Sequence, residues 1–499
     1  MKRFLLCLWL CASGCGESID GRLFIDLVPF CEPSLVDLQG EIAAYCIGIT
    51  FPGASEPEQN CSQTLEGVTL KVDEADEPVV VVVEGLNSNG RPIVRGRSVP
   101  VTLLSGEENV VSIPVAPVGS FALVAGNAGS CEPLPYPAAD HAATVFPSGH
   151  VLVTGTSRGE AERSKVAFLA DPVSGRTRLL STPFSLHRAR HSAVLMENGR
   201  VIVLGGANPA GAAPAEIVVV TGPQALMEDY SFGSFDPHEP PSVLFDVLDE
   251  RLLHTRESHA SAVFFGDQII INDGGSAAEM FLGSEETCGY ILSTGGVADP
   301  FPVSNQFIVT TAVPLDESHA VLLGGEADHN GLLTVRADSR EVDFQPYNLP
   351  AIRRNKPLGV RLRDGRVMFL GGKEGVAQPE SPVVLLDPGV PMLTEILVDA
   401  QTFPQKGFTA TLLEDGRVFV AGGASANAGY QPGSTFKIEQ DSNEPDRWFV
   451  VPGPQLLLPR SNHTTSLLPD GRLLVVGGLS ARADITDEEV ATSAEIIAF

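Results

Sequence analysis

RSNHTTSLLPDGRLLVVGG, residues 460–478, decides the fold. It divides into an apolar strand (His463 to Leu468), a tight turn at Asp470-Gly471, a second apolar strand (Leu473 to Val476), and Gly477-Gly478. Asp-Gly between two apolar runs predicts a two-residue type I′ hairpin, in which both central residues need φ > 0. The closing glycine pair predicts a point where backbone packs too closely for a Cβ.

Six further stretches repeat the phrase. They are HAATVFPSGHVLVTGT (from His141), HSAVLMENGRVIVLGG (from His191), HASAVFFGDQIIINDGG (from His259), TTAVPLDESHAVLLGG (from Thr310), LGVRLRDGRVMFLGG (from Leu358) and FTATLLEDGRVFVAGG (from Phe408). The first glycines of the closing pairs are spaced 50, 69, 50, 47, 51 and 55 residues apart. A strand-only period near fifty predicts a radial array of blades.

The phrase R-x-x-H, strand, D-G-R, strand, G-G resembles the kelch repeat over roughly residues 120–499. The resemblance implies an all-β fold, a seven-bladed kelch-type β-propeller. It is nearly silent on function, because such propellers carry enzymes, adaptors and carbohydrate binders alike. Each repeat continues into a third strand (Glu216 to Val220, Glu279 to Leu282, Val383 to Leu386, Thr435 to Ile438, Glu495 to Phe499) and an outer fourth. The last repeat stops after its third strand, so Phe121 to Val124 is predicted to supply the fourth and close the ring. In this geometry the D-G turns share one face. The long, unequal loops lie on the opposite face, with Arg188, Arg256, Arg354 and Arg460 at their bases. Most of the insert behind the 69-residue spacing, Gly222 to Asp249, is expected to project from the D-G face.

Ahead of the propeller the sequence predicts three segments. MKRFLLCLWLCASGC carries a basic start, a short apolar run and a small-residue cleavage region. Its end, Ala12-Ser13-Gly14-Cys15, resembles the lipobox of bacterial lipoproteins. That resemblance implies a signal peptide over 1–14, lipidation of Cys15 and, with Gly16 rather than Asp following, the outer membrane. Residues 15–20 form a linker. Residues 21–118 carry short apolar runs from Leu23, Ile42, Val68, Val79, Val101 and Val110, and suggest a small immunoglobulin-like β-sandwich acting as a spacer. The propeller domain spans 119–499.

The cysteine pattern fits an oxidising compartment. Cys46 and Cys61 flank a Pro/Gly/Asn-rich loop and are the preferred disulfide, with Cys31–Cys61 as competitor; Cys288 is the expected free thiol. A net charge of −29 argues against nucleic acid. No C-x-x-C pair, G-x-S-x-G elbow, H-E-x-x-H motif or P-loop is found. Asp328-His329-Asn330-Gly331 reads as a turn rather than a calcium loop. His141, His191, His259 and His463 hold one repeat position and are expected to hydrogen-bond between neighbouring blades rather than bind metal. Copper radical oxidases of this fold bring Tyr, Cys and His ligands to one metal, a set not recognisable among the six tyrosines.

The sequence therefore predicts a monomeric, non-catalytic, lipid-anchored binding or scaffold protein without cofactor or metal. An envelope protein or polysaccharide would be its ligand at the loop face, with the four arginines as ligand-binding residues. The alternative is a kelch-propeller enzyme such as a carbohydrate-active or copper-dependent oxidase.

Overall fold

The structure, a computed structural model, describes residues 6–9, 22–28, 40–50, 58–63, 79–98, 101, 108–124, 134–157, 167–171, 177–182, 188–196, 199–207, 216–222, 243–251, 260–264, 268–272, 279–282, 290–293, 311–316, 318–323, 331–336, 341–347, 357–372, 381–390, 392–398, 402–425, 431, 433–480 and 489–499. Nearly all of these residues are in strands or the turns between them, so the chain is all-β and propeller-like. Among the described residues, 134 onward with Ala122–Leu123 build seven four-stranded antiparallel sheets, numbered here sheet 1 to sheet 7 in chain order, and a small three-stranded sheet of Arg460–Ser461, Leu479–Ser480 and Glu489–Val490. Their first strands are Ala142–Val145, Ser192–Leu195, Ala260–Phe264, Thr311–Pro314, Leu358–Arg361, Thr409–Leu412 and Thr464–Leu467. Each first strand lies beside that of the next sheet, and that of sheet 7 lies beside that of sheet 1.

Sheets 1 to 6 take their strands in sequence order. Sheet 7 takes Thr464–Leu467, Leu473–Val476 and Ala494–Ile497, then Ala122–Leu123 from the far end of the propeller segment. The register is Ile496↔Ala122 and Glu495↔Leu123, which is the strand closure the sequence implies. Second strands are buried along their length, as at Val367–Leu370, Val418–Ala421 and Leu473–Val476, because neighbouring sheets cover both faces. Their unbroken apolar runs follow from that two-sided burial. Of the insert from Gly222 to Asp249, Leu244 onward belongs to the outer strand of sheet 2, Leu244–Arg251, and residues 223–242, the larger part, lie outside the described residues.

The hairpins correct the expected turn type. Only the glycine has φ > 0, at Gly365 (87°), Gly416 (86°) and Gly471 (79°). The Gly471 N–H donates to Leu468 O and the Leu468 N–H to Arg472 O. This is a three-residue loop, a type I turn with a G1 bulge. The D-G-R triplet has its own logic. Asp470 Oδ1 accepts the Arg472 N–H and Oδ2 accepts the guanidinium at 2.6 Å. Asp364–Arg366 and Asp415–Arg417 repeat the arrangement.

The N-terminal strands join in one order: Leu6–Trp9, Arg22–Val28, Glu108–Pro117, Pro92–Arg97, Val80–Leu86, Ala44–Thr50, Glu58–Ser62. The long strand Glu108–Pro117 is shared. Its start runs parallel to Arg22–Val28 and its end antiparallel to Pro92–Arg97. Leu6–Trp9, inside the stretch read as a signal peptide, pairs with Arg22–Ile25. Cys46 and Cys61 oppose each other in adjacent strands and are bonded, with Cα atoms 4.0 Å apart.

This sheet is fastened to the propeller and does not merely precede it. Ile47, Val81, Val83, Ile113 and Val115 share one core with Ala122, Val153, Leu474 and Ile496. The Ala498 N–H donates to Pro117 O. Arg95 pairs with Glu84 and also reaches Phe499 O, and Arg97 pairs with Glu414 in the hairpin turn of sheet 6. The N-terminal sheet thus meets the propeller on its D-G side.

If closure runs through Ala494–Ile497, its loss affects the whole ring. Ile497 is fully buried among Phe419, Val475 and Phe121. Ile497→Ala should cost about 3 kcal/mol. Truncation before Ala494 should lower the single calorimetric transition; an unchanged, fully cooperative transition in the truncated chain would contradict closure.

Candidate functional site

The first and second strands of each hairpin bring the R-x-x-H segment and the G-G pair to the face opposite the D-G turns. In sheet 7, Gly477 and Gly478 have φ of 61° and 101°, which turns their carbonyls and amides out of the ladder. The Gly478 N–H donates to Ala138 O, on the segment entering sheet 1, at 2.7 Å. The same bond joins Gly423 N to Arg460 O (2.8 Å) and Thr156 N to Arg188 O (2.9 Å). Each acceptor lies three residues before the residue that leads its own sheet. A Cβ at Gly422 would stand 2.7 Å from the His463 ring, and one at Gly371 would stand 2.7 Å from the Phe408 ring. Glycine is required there because the next sheet occupies the space.

The histidines fill these seams. His141 Nε2 bonds Thr464 Oγ1 on sheet 7 at 2.8 Å, His191 Nε2 bonds Thr154 on sheet 1 at 2.8 Å, and His463 Nε2 bonds Thr409 on sheet 6 at 3.1 Å. Burial, and then the Arg460 charge, push the His141 imidazole down to about 3. His463 is likewise held well below the ordinary range, by burial first and by Arg460 next. Both are neutral at physiological pH. The 7–1 seam therefore has the same chemistry as the 6–7 and 1–2 seams. His259 lies outside the described residues.

Arg188 and Arg460 do not stand on a rim facing a ligand, the place expected of them from the repeat. Arg188 and Arg460 are fully buried. Arg188 Nη1 donates to Gly205 O (2.9 Å) and Arg460 Nη1 to Gly477 O (2.7 Å), the carbonyls that the left-handed glycines turn away from the ladder. Arg460 Nη2 also meets Glu495 Oε1 at 2.6 Å, and both partners are fully buried. Glu495 in turn accepts the Leu457 and Leu458 N–H groups. Guanidiniums enclosed in this way hold their own hairpins and offer nothing to a ligand. Arg256, Arg354, Cys15 and Cys288 lie outside the described residues.

Sequence reasoning missed the residue directly before each seam side chain. The Asn462 N–H donates to Gly407 O (2.7 Å), the Asp140 N–H to Asn462 O (3.0 Å) and the Arg190 N–H to Asp140 O (2.8 Å). These bonds run from sheet 6 through sheets 7 and 1 to sheet 2 as a backbone belt around the mouth. Arg190 is exposed, while Asp140 and Asn462 are half-buried. The belt fixes the backbone at three positions that carry Asp, Arg and Asn. The signal that could have revealed them is the third slot of R-x-x-H, which changes while its neighbours repeat.

No family model matches the chain, and no curated protein matches it. Among solved structures, it is similar to a fungal alcohol oxidase of the AA5 family in complex with copper. The identity is 15%, the coverage 72% of this chain and 74% of that one, and the TM-score 0.50. It is also similar to YjhT, at 12% identity over 72% of this chain and 95% of that one, with a TM-score of 0.42. At such identities the first likeness speaks for a propeller-like fold. The described residues do not assemble the Tyr, Cys and His set of a copper radical oxidase. Tyr45 lies in the N-terminal sheet, Tyr136 packs edge-on against Phe168 and Tyr347 donates to Pro388 O. The three described seam histidines direct Nε2 to threonine hydroxyls.

Two measurements follow from the seams. Arg460→Ala leaves Glu495 buried without its cation and should cost about 3–5 kcal/mol, read by denaturant unfolding. His141 is harder to protonate in the folded chain than in the unfolded one, where its pKa is about 6.5. The resulting stability is complete above that pH and is lost as pH falls toward 3. Melting temperature should therefore drop below about pH 6.5, and His141→Asn should flatten the drop.

Proposed function

We propose that the chain is an extracytoplasmic lipoprotein, anchored through Cys15, whose seven sheets are the blades of a kelch-type propeller that binds its ligand on the loop face. The observation that carries this reading is the belt, which holds Asp140, Arg190 and Asn462 in fixed geometry at the channel mouth. Sites built on a backbone fixed by hydrogen bonds are pre-organised, and pre-organisation lowers the entropic cost of binding. The position of the N-terminal sheet supports the same face, because Arg97 meets the D-G side at Glu414 and leaves the loop side for recognition. Loops on a rigid scaffold are where recognition usually sits. The ligand is an envelope protein or surface polysaccharide.

A second reading is a kelch-propeller enzyme, a carbohydrate-active or copper-dependent oxidase. The comparison favours this reading over a pure binder, because the solved structure with the TM-score of 0.50 is a copper alcohol oxidase. Residues outside the described set, including Tyr230, Tyr430, Cys131, Cys288 and His259, are the ones that would have to supply its ligands.

The readings separate on purified protein. For the binder, soluble chain should retain surface polysaccharide or envelope protein, and added copper should leave binding unchanged. One equivalent of copper by elemental analysis, with peroxide formed from an alcohol or sugar, would establish the enzyme instead. Cys15→Ala should move the protein from the membrane to the soluble fraction; a mutant that stays membrane-bound would refute the lipid anchor.

A further inference from the structure

The N-terminal sheet carries a row of side chains from its disulfide to the propeller. Cys61 opposes Cys46, Cys46 opposes Glu84, Glu84 opposes Arg95 and Arg95 opposes Ala116. Residues directly opposed in adjacent strands stand on the same face, so these share one. Glu84 is buried, and its two oxygens divide between neighbours. Oε1 accepts from Arg95 Nε at 2.7 Å and Nη2 at 2.6 Å, and Oε2 accepts from the Gln59 amide at 3.1 Å. Gln59 opposes Gly48 on the intervening strand, which puts no side chain in its way. Arg95 in turn donates from Nη1 to Phe499 O, next to the Ala498 N–H that donates to Pro117 O. These two bonds hold the end of Ala494–Ile497, the strand on which Ala122–Leu123 closes the ring. The grip on the closing strand is thus continuous, through Glu84 and Gln59, with the edge strand Glu58–Ser62.

That edge strand has Ala44–Thr50 as its one strand neighbour among the described residues. Its sequence, EQNCS, holds no aliphatic or aromatic residue, and Asn60 and Cys61 are exposed. Apolar burial does not retain it, so the ladder and the Cys46–Cys61 bond are what hold Gln59 against Glu84. We infer that this disulfide is a redox-operated clamp on ring closure, opened by a dithiol reductant. Cys61 is exposed and Cys46 is buried, so a thiolate of the reductant attacks Cys61 Sγ. The Sγ–Sγ bond breaks, and Cys46 leaves as a thiolate and takes a proton. The second thiol of the reductant then displaces Cys61 from the mixed disulfide. Two electrons pass to the protein, the dithiol ends as a disulfide, and its two protons end on Cys46 and Cys61. The edge strand is then held by its ladder alone, and Gln59 leaves with it when it opens. Water replaces the amide at Glu84. Arg95, no longer fixed on an enclosed carboxylate, holds Phe499 O less tightly, because solvation weakens a charge-assisted bond. The device lies on the D-G side and is independent of what binds the loop face.

The test is amide hydrogen exchange on the full chain, with and without dithiothreitol. Reduction should speed exchange of the Ala498 N–H by about tenfold, as local opening of the closing strand requires. The hairpin of sheet 5, read at the Leu362 and Gly365 N–H groups, should keep its rate. Cys46→Ser combined with Cys61→Ser should show the faster Ala498 rate without reductant and no response to it, which assigns the effect to this bond. Arg95→Ala should exchange fast at Ala498 in both redox states. Glu84→Gln keeps the shape and removes the charge, and it makes the same comparison if Arg95→Ala fails to fold. An Ala498 rate that ignores reduction would overturn the inference. So would equal acceleration in sheet 5, the mark of a disulfide that only stabilises the whole chain, or an undiminished redox response in the folded Arg95 or Glu84 variant.

Discussion

The ring depends on a hydrogen bond that leaves no space for a side chain. In sheets 1, 6 and 7 the second residue of the closing pair donates its N–H to a carbonyl of the segment entering the next sheet, as Gly478 does to Ala138, Gly423 to Arg460 and Thr156 to Arg188. The first residue of the pair faces the next seam side chain, so a Cβ there would overlap a ring or a carbonyl. The glycine pair is thus an inter-sheet contact surface more than a turn. Because the glycines adopt positive φ, their own carbonyls leave the ladder and need another donor. Arg460 and Arg188 supply it from within the same sheet. The R-x-x-H and G-G halves of the repeat are therefore two sides of one hydrogen-bonding problem.

The seams also set the electrostatics. Burial first, and the nearby Arg460 guanidinium next, keep the His141 imidazole neutral, and its Nε2 is hydrogen-bonded to the threonine hydroxyl of the preceding sheet. Arg460 itself is tolerable in the interior because Glu495 neutralises it and the glycine and serine carbonyls fill the remaining donors. The Asp-Arg pairs of the D-G turns sit at the opposite end of the hairpins.

Much of this was legible in the residues. The hairpins, the closing strand from Ala122 and the seam role of the histidines all follow from pattern and spacing. The turn type did not, because Asp-Gly serves both a two-residue I′ loop and the last two positions of a type I turn with a bulge. The pairing of Leu468 with Arg472, with positive φ at Gly471 and not at Asp470, distinguishes them. Arg188 and Arg460 proved buried because counting along strands fixes the end of a sheet at which a residue lies and not whether its side chain turns inward. A clue was present in Glu279 and Glu495, which take the same register position opposite Ile271 and Val475. A repeated acid on the third strand implies a repeated buried cation. In the N-terminal sheet, Glu58–Ser62 and Pro92–Arg97 were illegible. The first has no apolar alternation, and the second mixes Pro, Arg and Gly; their pairing comes from neighbours.

A chain with internal repeats carries its own comparison set, and that changes what variation means. Positions that recur from sheet to sheet, such as the seam histidine, the buried arginine and the glycine pair, answer to the packing between sheets. A position that varies freely answers to nothing in the ring. The slot before the seam residue belongs to neither group. Its backbone conformation is the same wherever it is described, and its N–H makes the same bond in sheets 7, 1 and 2, yet its side chains are Asn, Asp and Arg where glycine would be easiest. Constant backbone with unlike, polar, strain-bearing side chains is the pattern expected when the scaffold fixes position and something outside the fold selects chemistry. That contrast marks the mouth as the part of the propeller whose residues the fold alone does not explain.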